Sequence, residues 1–118
     1  MNQTVEQKSF HFALQIVKLC KDLRNGKKEF VLSNQLLRSE TSIGANVAEA
    51  QQAQSRADFI SKINIALKEA VETDYWLRLL SASDYLLQEQ FYFYIFECRE
   101  IQKMLTAILK TSKKTEDN

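Results

Sequence analysis

Six polar residues recur at helical spacing between positions 35 and 49: Gln35, Arg38, Ser39, Ser42, Asn46 and Glu49. At 100° per residue they fall in an arc about 100° wide. The apolar residues of the same segment, Leu36, Ile43, Val47 and Ala50, lie on the neighbouring arc. Three chemistries are open to such a stripe. It can form a hydrogen-bonded layer between helices or subunits, with Arg38 as a five-donor hub, Asn46 and Glu49 as acceptors and the serines as bridges. It can line a groove or ring lumen that holds a phosphate or a nucleic acid. It can catalyse. The first reading is the strongest, because buried polar networks fix register and partner choice when every member is satisfied.

Catalysis has little support. Ser39 and Ser42 have no base at a workable spacing, and the one histidine, His11, stands far upstream. A lone His of this kind is more often partly exposed or packed than catalytic. Glu69 and Glu72 have the spacing of two carboxylates, but the Glu-x-x-His pairs of a di-iron bundle are missing. One His and two distant cysteines, Cys20 and Cys98, do not make a zinc site. There is no Gly-rich phosphate loop. No catalytic residue, metal or cofactor is expected.

The elements that must position these residues follow from composition. The chain has 118 residues, no proline, two glycines and 45% hydrophobic residues. So few breakers argue for long helices with short links in one domain. Thr4-Val-Glu-Gln7 reads as a capping box that opens the first helix. Two adjoining apolar faces follow: Phe10, Ala13, Leu14 and Val17, and Phe12, Ile16, Leu19 and Leu23. Asn25-Gly26 is the expected stop, with Gly26 free to turn left-handed. Ser33 is the expected N-cap of the second helix, which carries Gly44 as a bend or close-contact point. Ser55-Arg-Ala-Asp58 caps the third, whose core stripe is Phe59, Ile63, Ala66, Ala70 and Leu77. The fourth turns Phe91, Tyr94, Ile95, Cys98, Ile101, Gln102, Leu105 and Ile108 inward.

The expected domain is an all-α, antiparallel, up-down-up-down four-helix bundle over residues 1–112. Its helices fall at about 4–25, 33–53, 56–82 and 88–110, and residues 113–118 form a disordered polar tail. The cysteines are expected to be buried and reduced.

Net charge is +1, with 16 basic and 15 acidic side chains. Global balance of this kind argues against a dedicated nucleic-acid domain. The balance is uneven, however. Residues 1–28 hold six basic and two acidic side chains, while 29–109 carry an acidic excess. Lys18, Lys21, Arg24, Lys27 and Lys28 are therefore candidates for a nucleic-acid contact, although a solvated face explains them equally simply. The window is too poor in apolar runs for a membrane span of roughly 18 residues or more, and the N-terminus has no secretory plan. A cytoplasmic protein is expected.

A second face of the third helix, Ile65, Glu69, Glu72, Trp76 and Leu79, lies outside the main core stripe. The run FYFYIF at 91–96 places bulky side chains all round a helix, so Tyr92, Phe93 or Phe96 should be exposed in a monomer. Trp76, Glu72, Phe93 and Phe96 are the candidate subunit interface.

The stretch from Gln35 to Leu80 resembles a bacterial four-helix bundle family first noted in intervening sequences of 23S ribosomal RNA genes. The residues that carry the resemblance are Gln35, Arg38-Ser39, Ser42-Ile43, Ala45-Asn46-Val47-Ala48-Glu49, Asp58-Phe59-Ile60, Ala66 and Glu72. Many relatives have Pro in place of Gly44 and Gly in place of Ala50. The resemblance implies a bundle that assembles as a homopentamer with no established enzymatic activity. A related branch of basic proteins acts with a reverse transcriptase and RNA of diversity-generating retroelements; this chain has no such basic surplus. The expected function is a non-enzymatic oligomeric scaffold or interaction module, and the alternative is an RNA- or DNA-binding accessory protein.

Overall fold

The computed structural model of the protein describes residues 3–117, with side chains described as far as Lys114. Four helices follow one another: α1 (Val5–Gly26), α2 (Val31–Ala50), α3 (Arg56–Ala82) and α4 (Gln88–Asp117). They pack in chain order around one core, α1 on α2, α2 on α3, α3 on α4 and, more lightly, α1 on α4. Links of four or five residues reverse the chain each time. The cross-helix bonds agree: Ser39 meets Thr73 while Glu49 meets Lys62, so numbers rise on α2 as they fall on α3. This is the expected all-α bundle, drawn out to 51 × 25 × 22 Å.

The helix starts show how local chemistry sets boundaries. Thr4 forms the expected capping box with Gln7. Ser55 accepts the Asp58 N–H at 3.0 Å, while the Asp58 carboxylate turns back to the Gln54 N–H at 3.2 Å. α2 departs from expectation. It begins at Val31, two residues before Ser33, and its cap is Glu29. The Glu29 carboxylate accepts the N–H groups of Val31, Leu32 and Ser33 at 3.1, 2.8 and 2.7 Å. Three donors that would otherwise lack partners are satisfied, and a negative charge sits at the positive end of the helix dipole. Ser33 instead donates its hydroxyl to the Glu29 carbonyl at 2.9 Å.

The helix ends also differ. Gly26 stays helical, and it is Lys28 that turns left-handed, at φ 55°. That turn lets the Glu29 N–H reach the Leu23 carbonyl at 3.0 Å. α2 ends at Ala50 rather than near 53, because residues 51–53 tighten into bonds to the carbonyl three residues back. α3 ends in a Schellman motif: Asp84 is left-handed at φ 67°, and the Tyr85 N–H reaches the Leu80 carbonyl at 2.9 Å. α4 continues past Lys110 to Asp117, because nothing in Thr111–Asp117 breaks a helix. The expected disordered tail is therefore helical over 113–117, and Asn118 lies outside the described residues.

The core takes one of the two apolar faces of α1. Phe12, Ile16, Leu19 and Leu23 are buried, whereas Phe10 and Leu14 are exposed. They meet Leu36, Ile43 and Val47 of α2, Ile63, Ala66, Ala70 and Leu77 of α3, and Ile95, Cys98, Ile101, Leu105 and Leu109 of α4. Cys20 and Cys98 are free and buried, and burial raises both thiols to about 12. Each donates to a backbone carbonyl, Cys20 to Ser33 at 3.4 Å and Cys98 to Ala70 at 3.3 Å. Gly44 makes no close helix contact within the chain, since a Cβ built there meets nothing within 4 Å.

Candidate functional site

The packing of α2 on α3 separates the six-residue polar stripe into four settings. Gln35 and Arg38 form the first. Arg38 Nε donates to Gln35 Oε1 at 3.1 Å, and its guanidinium pairs with Glu69 at 3.5 Å and with Glu72. Glu72 also accepts the Trp76 indole N–H at 2.9 Å. Arg38 thus joins α2 to the second face of α3, and neutralises two carboxylates that stand one helical turn apart. Ser39 forms the second setting. It is fully buried and shares a 2.8 Å hydroxyl–hydroxyl bond with Thr73, itself tied to the Glu69 carbonyl.

Ser42 and Asn46 form the third setting, within α2 alone. The Asn46 amide donates to the Ser42 carbonyl at 2.8 Å and to its hydroxyl at 3.2 Å. Glu49 is the fourth, exposed and paired with Lys62 at 3.3 Å. The serines bond only to one another's neighbours and to backbone, with no base or nucleophile partner. His11 is exposed on α1, its Nδ1 bonded to the Gln3 amide at 2.6 Å. Among the described residues no three His, Cys, Asp or Glu side chains gather where they could hold a metal ion.

Two acidic residues of structural weight were not read from the sequence. Asp74 is buried on α3 and fastens α4. Arg99 donates to it at 2.9 Å, Gln102 at 2.9 Å, and Arg78 from the same helix at 2.9 Å. Burial alone would raise its carboxyl; the bonds from Arg99, Gln102 and Arg78, with the Arg99 charge, outweigh that and hold it below the ordinary value. The same bond to Asp74 raises Arg99.

Glu40 is the other. It is 0% exposed, at the centre of the bundle, and neither carboxyl oxygen has a hydrogen-bond partner among the described residues. Burial pushes its carboxyl up to about 8. At neutral pH it is therefore mostly a neutral acid, the cheaper state for a carboxyl without a countercharge. Both residues carried a legible signal. Leu36, Glu40, Ile43 and Val47, and Ala70, Asp74 and Leu77, each continue a core stripe at steps of three and four.

The candidate nucleic-acid contacts do gather toward one end of α1. Lys18, Lys21, Lys27 and Lys28 are exposed. Arg24 is engaged, donating to Asn34 Oδ1 at 2.9 Å and lying over the Phe30 ring at 5.7 Å. The candidate interface residues divide. Trp76 is half-buried against the core, with its N–H satisfied by Glu72. Phe93 and Phe96 are exposed with Tyr92 on the outer side of α4. A groove of about 520 Å³ opens between α1 and α2, with Phe10 and Ala13 on one side and Thr41, Gly44, Ala45 and Ala48 on the other. No helix among the described residues is long and apolar enough to cross a membrane.

Comparison with known proteins fits this geometry. A family model described as 23S rRNA-intervening sequence protein matches residues 1–107. Among curated proteins, none matches the chain. A crystal structure of a protein with unknown function from the S23 ribosomal protein family, from Bacteroides thetaiotaomicron, is similar at 57% identity and a TM-score of 0.90. The match covers 91% of this chain and 99% of that one.

Proposed function

We propose a role that starts from one premise: this chain belongs to the 23S rRNA-intervening sequence protein family. In our reading it is a non-enzymatic bundle that assembles with copies of itself, as the homopentamer the resemblance implies, and works as a scaffold or interaction module in the cytoplasm. One observation carries this. The polar residues able to do chemistry are spent on holding helices together, while large apolar side chains stand in solvent. Arg38 and Ser39 are occupied by α3, and Ser42 is occupied by its own helix. Phe10, Leu14, Tyr92, Phe93 and Phe96 are all exposed. Surfaces of that kind mark association more often than catalysis. Static light scattering at micromolar concentration tests the reading: an assembly mass supports it, and a monomer mass overturns it.

A second reading has its own observation. Lys18, Lys21, Lys27 and Lys28 are exposed near one end of α1, and no ion pair among the described residues engages them. Repeated around a ring, this patch would hold RNA or DNA with steep salt dependence. A gel shift with structured RNA at low and moderate salt separates the two. Retardation lost on raising salt and on Lys18→Glu/Lys21→Glu supports the nucleic-acid role; no retardation at low salt removes it.

A further inference from the structure

We propose that the groove between α1 and α2 receives the outer aromatic face of α4, Tyr92, Phe93 and Phe96, from a second copy of this chain. This rests on the self-assembly reading and names the surfaces that meet.

The two surfaces complement each other in shape. The groove is floored by small residues, Gly44, Ala45 and Ala48, and a Cβ placed on Gly44 still meets nothing within 4 Å. Its α1 wall carries Phe10, 63% exposed, and one turn further Leu14, 57% exposed. The surface is therefore concave, apolar and unfilled by its own chain. Tyr92, Phe93 and Phe96 are 58%, 46% and 59% exposed. At 100° per residue they share an arc of about 100° that points away from the core stripe. They form a convex aromatic ridge. Each such ring removes roughly 150–250 Å² from water when covered, so three of them supply the centre of an interface of about 800 Å² a side.

The flanking charges also oppose. Lys18 and Lys21 lie exposed on α1 just beyond Leu14, and no carboxylate among the described residues pairs with them. Glu89 and Glu100 flank the aromatic ridge on α4. Glu89 is exposed without an ion partner, and Glu100 has only Lys103 at 3.9 Å. Basic rim beside the groove meets acidic rim beside the ridge, which favours this pairing over groove on groove or ridge on ridge. Because the two surfaces belong to different helices, the contact is head-to-tail, and repeated copies close into a ring rather than stop at a two-fold dimer.

The test uses one variant for each surface. Ala45→Glu places a charge in the groove, and Phe96→Glu places one on the ridge; both positions are exposed, and circular dichroism confirms that each variant folds. Ala48→Glu and Phe93→Glu replace either one that does not. Each variant alone should have the monomer mass by light scattering. An equimolar mixture should give twice that mass and no more, since the sound ridge of one variant meets the sound groove of the other. A wild-type protein that assembles while either variant still assembles overturns this pairing and leaves self-assembly standing. Monomeric variants whose mixture stays monomeric also overturn it. A monomeric wild type overturns both.

Discussion

Glu40 shows how a single residue can set the pH response of the whole bundle. Its carboxyl is buried, unpartnered and raised from 4.5 to about 8. In the unfolded chain it ionises near its ordinary value. Between about pH 4.5 and 8 the folded protein therefore holds a proton that the unfolded chain has released. Stability is fully present below that window and falls as pH rises through it, by up to about 1.4 kcal/mol per pH unit. Asp74 acts in the opposite direction and elsewhere: its lowered carboxyl contributes stability that is lost only as pH falls below the ordinary carboxylate range. The two thiols, raised from 9.0 to about 12, contribute only above about pH 9. Urea unfolding of Glu40→Gln should thus lose the slope between pH 5 and 8 that the natural protein shows. An unchanged slope would mean that Glu40 finds a partner in solution. Lys28 offers a second residue-scale test. A lysine at φ 55° is strained where glycine is not. Lys28→Gly should raise the stability by roughly 0.5–1 kcal/mol, measured by thermal unfolding.

At the scale of the element, boundaries depend on which polar group reaches the helix end. The sequence reading located four helices and the correct α1 and α3 starts, since Thr4 and Ser55 act through neighbours three residues on. It misplaced the α2 start because Glu29 lies outside the helix and caps it from the preceding link, a geometry no local spacing rule describes. Glu29→Ala removes the acceptor for three backbone N–H groups. It should cost about 1–2 kcal/mol by chemical denaturation, with early fraying of α2 visible by amide hydrogen exchange. The apolar pattern of α1 was equally legible and equally incomplete. Two faces were readable, and only the position of α2 and α4 decided that Phe12, Ile16 and Leu23 go inward while Phe10 and Leu14 do not. The polar stripe of α2 was legible as a set. Its division among Arg38 on α3, Ser39 in the interior, and Ser42 with Asn46 within the helix depends on where α3 lies.

For the whole molecule, the consequence is a bundle whose interior is settled and whose exterior is not. Three ties join the helices across their seams: Arg38 to Glu69 and Glu72, Asp74 to Arg99 and Gln102, and Lys8 to Glu97 at 2.5 Å. The outer apolar residues have no equivalent within the chain. If they are covered by other copies, folding is coupled to association, and the melting temperature should rise with protein concentration. Differential scanning fluorimetry over a hundredfold dilution checks this; a constant midpoint would argue that the monomer is the folded unit.

The residues alone determined the fold class, because absent prolines, paired caps and apolar steps of three and four leave a chain of this length little but a helical bundle. They also determined that no metal or nucleophile constellation is spelled out in the chain, since such sites require residue types that are present here only singly or far apart. Tertiary structure decided the rest. Whether Glu40 is a surface carboxylate or a neutral buried acid, and whether Arg38 waits for a ligand or is held by two glutamates, depends on what stands opposite. Periodicity describes one helix about its own axis, and opposition is a property of two.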